Sequence, residues 1–219
     1  MEILENGTRG LALSPASIHR GQTAATIFDA DIHESAIFAG GYPGLAQNWP
    51  AELTPAPDDR EAHHMARFLQ QRLVGEGWHK NRIDSVVKTQ GESSNSIGDV
   101  LFSIRNGLLS PEMFNDDSHI RTIDLVTGGL HGRRFRNILS KALVIDPKRI
   151  RRVKMFDTYG TEATGTSRAE SAPLAVTKEL AAIAINSKVM RGVRPGNLED
   201  LAKAEEQFIA IAQRSQRSK

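Results

Sequence analysis

No cysteine occurs anywhere in the 219 residues. That excludes disulfides, Cys-ligated zinc, iron–sulfur clusters and a thiol nucleophile. Aromatic residues are scarce at 5%, and the 28 Lys and Arg are almost matched by 26 Asp and Glu. A nucleic-acid surface draws on a basic face with stacking rings, so this composition argues against a nucleic-acid partner. No apolar run approaches the ~20 residues needed to span a bilayer. The opening MEILENGTRG has neither a basic n-region nor an apolar h-region, so the expected location is cytoplasmic. The basic stretch from Arg214 to Lys219 is short and reads as a solvated end.

What is present is ordinary for a globular chain: 39% hydrophobic and 25% charged residues in 24.0 kDa, enough for one substantial core. Ser14-Pro15 signals a helix start, and Ile18, Ala25, Phe28 and Ile32 recur at helical spacing after it. The run Ser35 to Ala39 reads as a buried strand ending in Gly40-Gly41. Tyr42 to Asp59, rich in Pro and Gly, predicts a long irregular loop of the functional or mobile kind. Asp58-x-x-Glu61 has capping-box form ahead of an apolar stripe at Ala62, Met65, Ala66, Leu69 and Leu73. Ile83 to Lys88 is the next predicted strand, followed by the loop Thr89 to Asn95 and a helix carrying Ile97, Val100, Leu101, Ile104 and Leu108. Ile120 to Thr127 is the clearest strand. It runs into Gly128-Gly129 and a helix opened by His131, with Phe135, Ile138, Leu139 and Leu143 inside. Ile150 to Phe156 is the last strand, then a polar loop to Ser171, then helices from about Pro173 and from Asn197.

Strands alternating with helices of ten or more residues imply an α/β fold. The expected form is a Rossmann-like three-layer sandwich around a mostly parallel sheet with right-handed crossovers. Residues 1–160 would form the core and 161–219 a helical extension packed on it. A doubly wound sheet opens with a strand, and little β-branched apolar material precedes Ser14. The first strand is therefore expected upstream of Met1, an expectation that intact mass from the native host would check.

In such a sheet, ligands bind beyond the carboxyl ends of the strands, where helix amino termini present free N–H groups. Three segments qualify: Gly40-Gly41-Tyr42, Gln90 to Ser96, and Thr127 to Arg134. Thr127, Gly128 and Gly129 leave backbone room for an anion. His131 can exchange a proton near neutral pH, and Arg134 can grip a carboxylate or phosphate in two-pronged fashion; a strand-end His and a solvated helical Arg would look the same. Ser93, Ser94, Asn95 and Ser96 either bind an anion or cap a helix, since Ser96-x-x-Asp99 has capping-box form. Glu61 is either a site carboxylate or the reciprocal half of the Asp58 box. His63-His64 lacks any metal-ligand spacing and reads as stripe and surface, so no metal site is expected. There is no GxGxxG and no GK[ST], so dinucleotide and P-loop ATP sites are unsupported.

In order, Gly40-Gly41, then Arg60-Glu61-Ala62, then Ser93-x-Asn95-Ser96, then Val126-Thr127 with His131-x-x-Arg134, resemble the YdcF/SanA/ElyC family, a Rossmann-like family of unknown function. The resemblance covers roughly residues 7 to 156, and Arg20 falls where the family tends to carry an Arg. It implies a soluble YdcF-like protein that takes a small anionic or nucleotide-like ligand, with S-adenosylmethionine the cofactor reported for YdcF-like members. SanA- and ElyC-like members, which are membrane-anchored and linked to envelope and lipid-carrier metabolism, give an alternative. The chain departs from the family pattern at Arg60 (Ser in the family), at Gln90 (commonly acidic) and at Gly98-Asp99 (Glu-Asn). Loss of the carboxylate at Gly98 puts in doubt chemistry that needs it, with Glu92 or Asp99 as substitutes. The expected roles are His131 as general acid/base, Arg134 as anion clamp, Glu61 as site carboxylate, Arg20, Ser93, Asn95, Ser96 and Thr127 as ligand contacts, and Gly40, Gly41 and Gly128 as backbone approaches. Hydrolase or transferase chemistry is one outcome; a regulatory module that binds without turnover is the other.

Overall fold

The structure, a computed structural model, describes residues 2–3, 9–10, 13, 15–41, 60–115, 120–154 and 172–217. The loop Tyr42–Asp59, Ser14, Asp58 and the polar loop after Lys154 lie outside them. The described chain is mixed α/β. A minimal antiparallel pair, β1 (Glu2–Ile3) with β2 (Arg9–Gly10), precedes α1 (Pro15–Ile27). Then follow β3 (Ala36–Ala39), α2 (Glu61–Gly75), α3 (Lys80–Val86), β4 (Val87–Gln90), α4 (Ser96–Arg105), β5 (Ile123–Val126), α5 (Gly129–Leu143), β6 (Ile150–Val153), α6 (Ala172–Met190) and α7 (Leu198–Arg217).

Strands β3 to β6 are four residues each and strictly parallel where they pair. β3 lies against β4 with Ala36 opposite Val87, and β5 against β6 with Ile123 opposite Ile150. Among the described residues these are two separate parallel pairs rather than one continuous sheet. Each pair has its own core. The first packs Ala25 and Phe28 of the α1 region, Phe38, and the α2 stripe Ala62, Met65, Ala66, Leu69 and Leu73. The second packs Val100 and Leu101 of α4, Ile138 and Leu143 of α5, Ile150, Met190 of α6, and Leu201 and Ala204 of α7. The two carboxyl-terminal helices thus bury side chains in the same cluster as α4 and α5.

Polar side chains secure the helix ends. Arg72 of α2 donates to the Phe28 carbonyl at 2.8 Å and also to Ala25 O, closing the end of α1. Lys141 of α5 does the same for α6, donating to Met190 O at 2.6 Å and Val193 O at 3.1 Å. Between the halves, His33 Nε2 meets Asp124 at 3.3 Å and Arg121 pairs with Glu34 at 3.2 Å.

Several local expectations shift. Ile83 to Val86 is helical, not extended: the His79 side chain caps α3 by accepting from the Asn81 amide, and only Ile83 within α3 is buried. The strand starts at Val87 and includes Thr89 and Gln90 of the predicted loop. Ile120 is 84% exposed and precedes β5, which begins at Ile123. Ile32 lies beyond the end of α1 and is 69% exposed, so it is no part of that helix's buried stripe. α5 begins at Gly129, two residues before His131.

Candidate functional site

The two strand pairs border a single cavity of about 870 Å³. Its polar end is built where the strands deliver their carboxyl ends, as the parallel arrangement requires. Gly40 and Gly41 leave β3 there. Gly41 has no alternative residue: an added Cβ would stand 2.3 Å from both the Gly91 and Ser93 carbonyl oxygens, so the β3 exit is pressed directly on the β4–α4 loop. Gly40 has φ +150°, its amide donates to Gln90 O at 3.0 Å, and its carbonyl accepts the Ala62 amide at 2.9 Å. Those bonds aim the first turn of α2 at the cavity.

Glu61 therefore lines the cavity as the first residue of α2, not as the third residue of a helix capped by Asp58. α2 begins at Glu61 with Arg60 in the N-cap position and no side-chain cap, and the Glu61 carboxylate turns across to α1. It accepts from Ser17 Oγ and from Arg20 at 3.2 Å, and Arg20 also donates to Ser17 Oγ at 2.9 Å. Arg20 and Glu61 both line the cavity.

The β4–α4 loop supplies the second wall. Asn95, not Ser96, caps α4: its Oδ1 accepts from the Ile97 and Gly98 amides at 2.9 and 3.0 Å. Ser96 is the first helical residue, and the Ser96-x-x-Asp99 box does not form, because Asp99 accepts instead from Ser93 Oγ. Asn95 is consequently divided between roles. Its oxygen is spent on the cap, while its Nδ2 donates to Glu205 of α7 at 3.0 Å. Gln90, oriented so that its side-chain oxygen accepts from the Glu92 and Ser93 amides at 3.0 and 3.3 Å, is almost fully buried beneath this loop.

The third wall is the start of α5. His131 Nε2 lies 3.3 Å from Ser96 Oγ, and His131 Nδ1 lies 2.9 Å from an Arg134 amino group. A guanidinium has only N–H donors, so Nδ1 must accept and the neutral ring carries its proton on Nε2, directed at Ser96. Arg134 is 8% exposed, so part of its function is to orient His131 rather than to stand as a solvent-facing clamp. Thr127 is buried and lines the cavity; Gly128 is not among the lining residues, and its carbonyl receives the Gly132 amide at 2.7 Å.

Ser93, Asn95, Ser96, His131, Arg134 and Glu61 therefore face one cavity. So does Asp99, which sequence reasoning considered as a capping-box partner of Ser96 and as a substitute for the carboxylate missing at Gly98. Its carboxyl is withdrawn from solvent although part of the residue stays accessible, and burial pushes its pKa from 3.8 to about 7. The Ser93 hydrogen bond opposes the rise, the Glu61 charge adds to it, and the Arg20 and Arg134 charges oppose it. A second carboxylate, near the β4–α4 loop but not among the residues lining the cavity, comes from a place no local motif could reveal. Glu205 Oε1 lies 3.3 Å from where a Gly98 Cβ would be, with its pKa raised by burial and held back by the Asn95 amide. Glu205 would have been findable only as an acidic residue on an otherwise apolar helix face. Among the described residues no three His, Asp or Glu side chains gather as a metal site would need, and no helix is long and apolar enough to cross a membrane. No protein-family model, no curated protein and no solved structure matches the chain.

Proposed function

We propose that the polar end of the cavity binds a small anionic or nucleotide-like ligand at the carboxyl ends of the parallel strands and acts on it by proton transfer, as a YdcF-like protein with a Rossmann-like core. The observation that carries this reading is the meeting of His131, Arg134, Asp99 and the Arg20–Glu61 pair on one 870 Å³ cavity. Two guanidiniums give the anion its attraction, and the Asn95-capped start of α4 adds a positive helix end. His131, with Nδ1 held by Arg134, directs its Nε2–H as a hydrogen-bond donor toward Ser96 and the polar end of the cavity. Asp99, with a pKa of about 7, is the group that can change protonation at neutral pH. A carboxyl that titrates near neutrality beside a hydrogen-bond-donating His suits general acid–base work on a phosphoryl or acyl ligand, which favours hydrolase or transferase chemistry. S-adenosylmethionine belongs among the ligands to test on the strength of the family resemblance.

A non-catalytic binding module is the second reading, favoured by the absence of a carboxylate at Gly98. The Glu205 carboxylate lies close to the same spot but is engaged by Asn95 and does not line the cavity, whereas Asp99 does. The deciding experiment is a thermal-shift screen with inorganic phosphate, S-adenosylmethionine, nucleotides and sugar phosphates, followed by product analysis of any stabilising compound. Turnover that follows a titration near neutral pH and disappears in His131→Gln supports the enzyme. A ligand recovered intact supports the module. No stabilisation by any of these compounds, or turnover unchanged in His131→Gln, ends the assignment.

A further inference from the structure

The polar residues named above occupy one end of the cavity, and the His33–Asp124 and Glu34–Arg121 pairs with Arg151 line it toward the amino-terminal ends of the strands. The rest is bordered by the whole length of two strands, with Ile37, Phe38, Ile123, Leu125 and Val126 among the walls. β3 pairs only with β4 and β5 only with β6 among the described residues, so each presents its other edge to the cavity. The direction of one edge can be read from the hydrogen bonds. The Gly40 amide reaches Gln90 on the β4 side, and alternation along the strand turns the N–H and C=O groups of Ile37 and Ala39 to the opposite, cavity side. A lone apolar ligand would cover these backbone groups without bonding them, which is costly.

We infer that this part of the cavity is a receptor groove for an extended, apolar peptide segment that binds as an added strand between β3 and β5. Only a peptide presents alternating donors and acceptors on both of its edges, and here both walls are strand edges. A central parallel strand is buried on both faces and wants a near-continuous apolar sequence, which the Ile, Leu, Val and Phe walls match. Four-residue strands are about 13 Å long, so roughly four residues of extended peptide fill the groove. Its carboxyl end would open onto the polar site, which makes peptide and small ligand neighbours rather than competitors for the same groups.

The test uses the full chain and a soluble probe, acetyl-Lys-Val-Ile-Val-Ile-Val-Lys-amide, in native-state hydrogen exchange. Saturating probe is expected to slow exchange at Ile37 and Ala39 and at alternate amides of β5 by at least tenfold. N-methylating one alternate set of probe amides should remove protection from one strand only, and methylating the other set should remove it from the other strand. Ile37→Pro should abolish protection while sparing the β4 pairing, since that amide does not face β4; phosphate binding at the polar end should survive in it. If no amide of either strand is protected at millimolar probe, the inference is overturned. Equal protection by dodecyl phosphate, or by a probe methylated at every amide, overturns it as well, because an alkyl chain would then suffice. Phosphate binding reports on the polar site separately, so either reading can fail without the other.

Discussion

Replacing Asp99 by Asn should stabilise the protein, and increasingly so as pH rises. The Asp99 carboxyl titrates at about 7 in the fold against an ordinary value of 3.8, so the native state holds a proton that the unfolded chain has released across that window. Where the native state binds more protons, stability falls with increasing pH. The sign is thus opposite to that of a salt-bridged carboxylate: there is no penalty below about pH 4, a growing one between 4 and 7, and a constant one above. With about 1.4 kcal/mol per pKa unit, the full penalty is about 4 kcal/mol, of which about 2.5 develops between pH 5 and 8. The amide introduced by Asp99→Asn keeps an oxygen for the Ser93 hydroxyl and has no charge to desolvate. Urea unfolding of both proteins at pH 5, 6, 7 and 8 measures the difference, in which the titration of all other groups largely cancels. A gap that widens by about 2 kcal/mol or more toward pH 8 is the expected result. Parallel curves, or a variant less stable at pH 8, would refute the enclosed-carboxyl account and with it the proton-exchanging group of the site.

Three further outcomes follow from the geometry. Leu201→Ala removes a fully buried side chain that docks α7 into the second core, and should cost about 2–5 kcal/mol in denaturant unfolding; a loss under about 0.5 kcal/mol would mean that α7 is not part of that core. Gly41→Ala drives a methyl into two backbone oxygens and should destabilise by about 1–3 kcal/mol while separating the β3 exit from the β4–α4 loop, read as lost ligand protection in thermal shift. Asn95→Ala uncaps α4 at a cost of about 1 kcal/mol, whereas Asn95→Asp keeps the cap oxygen but confronts Glu205 with a second carboxylate, so its deficit should shrink as pH falls.

Much of the helical framework was legible because burial repeats with the helical period. The stripe Ala62, Met65, Ala66, Leu69 and Leu73 and the set Ile97, Val100, Leu101 and Ile104 are buried as their spacing demands. Where period is short of evidence, reading fails: α3 has one buried apolar residue and a histidine cap, and Val86-Val87 looks extended on both sides of its boundary. Cap identity is equally hard to read in Ser93-Ser94-Asn95-Ser96, since every member has a suitable oxygen and only the backbone angles select Asn95. At the site, the residues that follow strands could be named from the rule that strand ends converge. Glu205 could not, because it meets Asn95 across 110 residues of chain, and Asp99, nameable as a stand-in for the carboxylate missing at Gly98, owes its shifted titration to burial that no local pattern shows. The division into two strand pairs was also invisible, since strand pairing is non-local and each run has the same apolar character.

That division has a mechanical consequence. The walls of the cavity belong to different hydrophobic clusters, joined across the strands by side-chain links such as His33–Asp124 and Glu34–Arg121 rather than by a shared ladder. Glu34–Arg121 is an exposed pair of the kind that contributes about 0–1 kcal/mol, far less than either core, and His33–Asp124 is a largely buried contact that is an ion pair only when the imidazole is protonated. Among the described residues the spacing of the walls is therefore set by side-chain packing and polar contacts rather than by backbone hydrogen bonds between the pairs. Whatever occupies the cavity acts as a spacer between two bodies, and its width, as much as its charge, decides how closely His131 approaches Glu61 from the opposite wall.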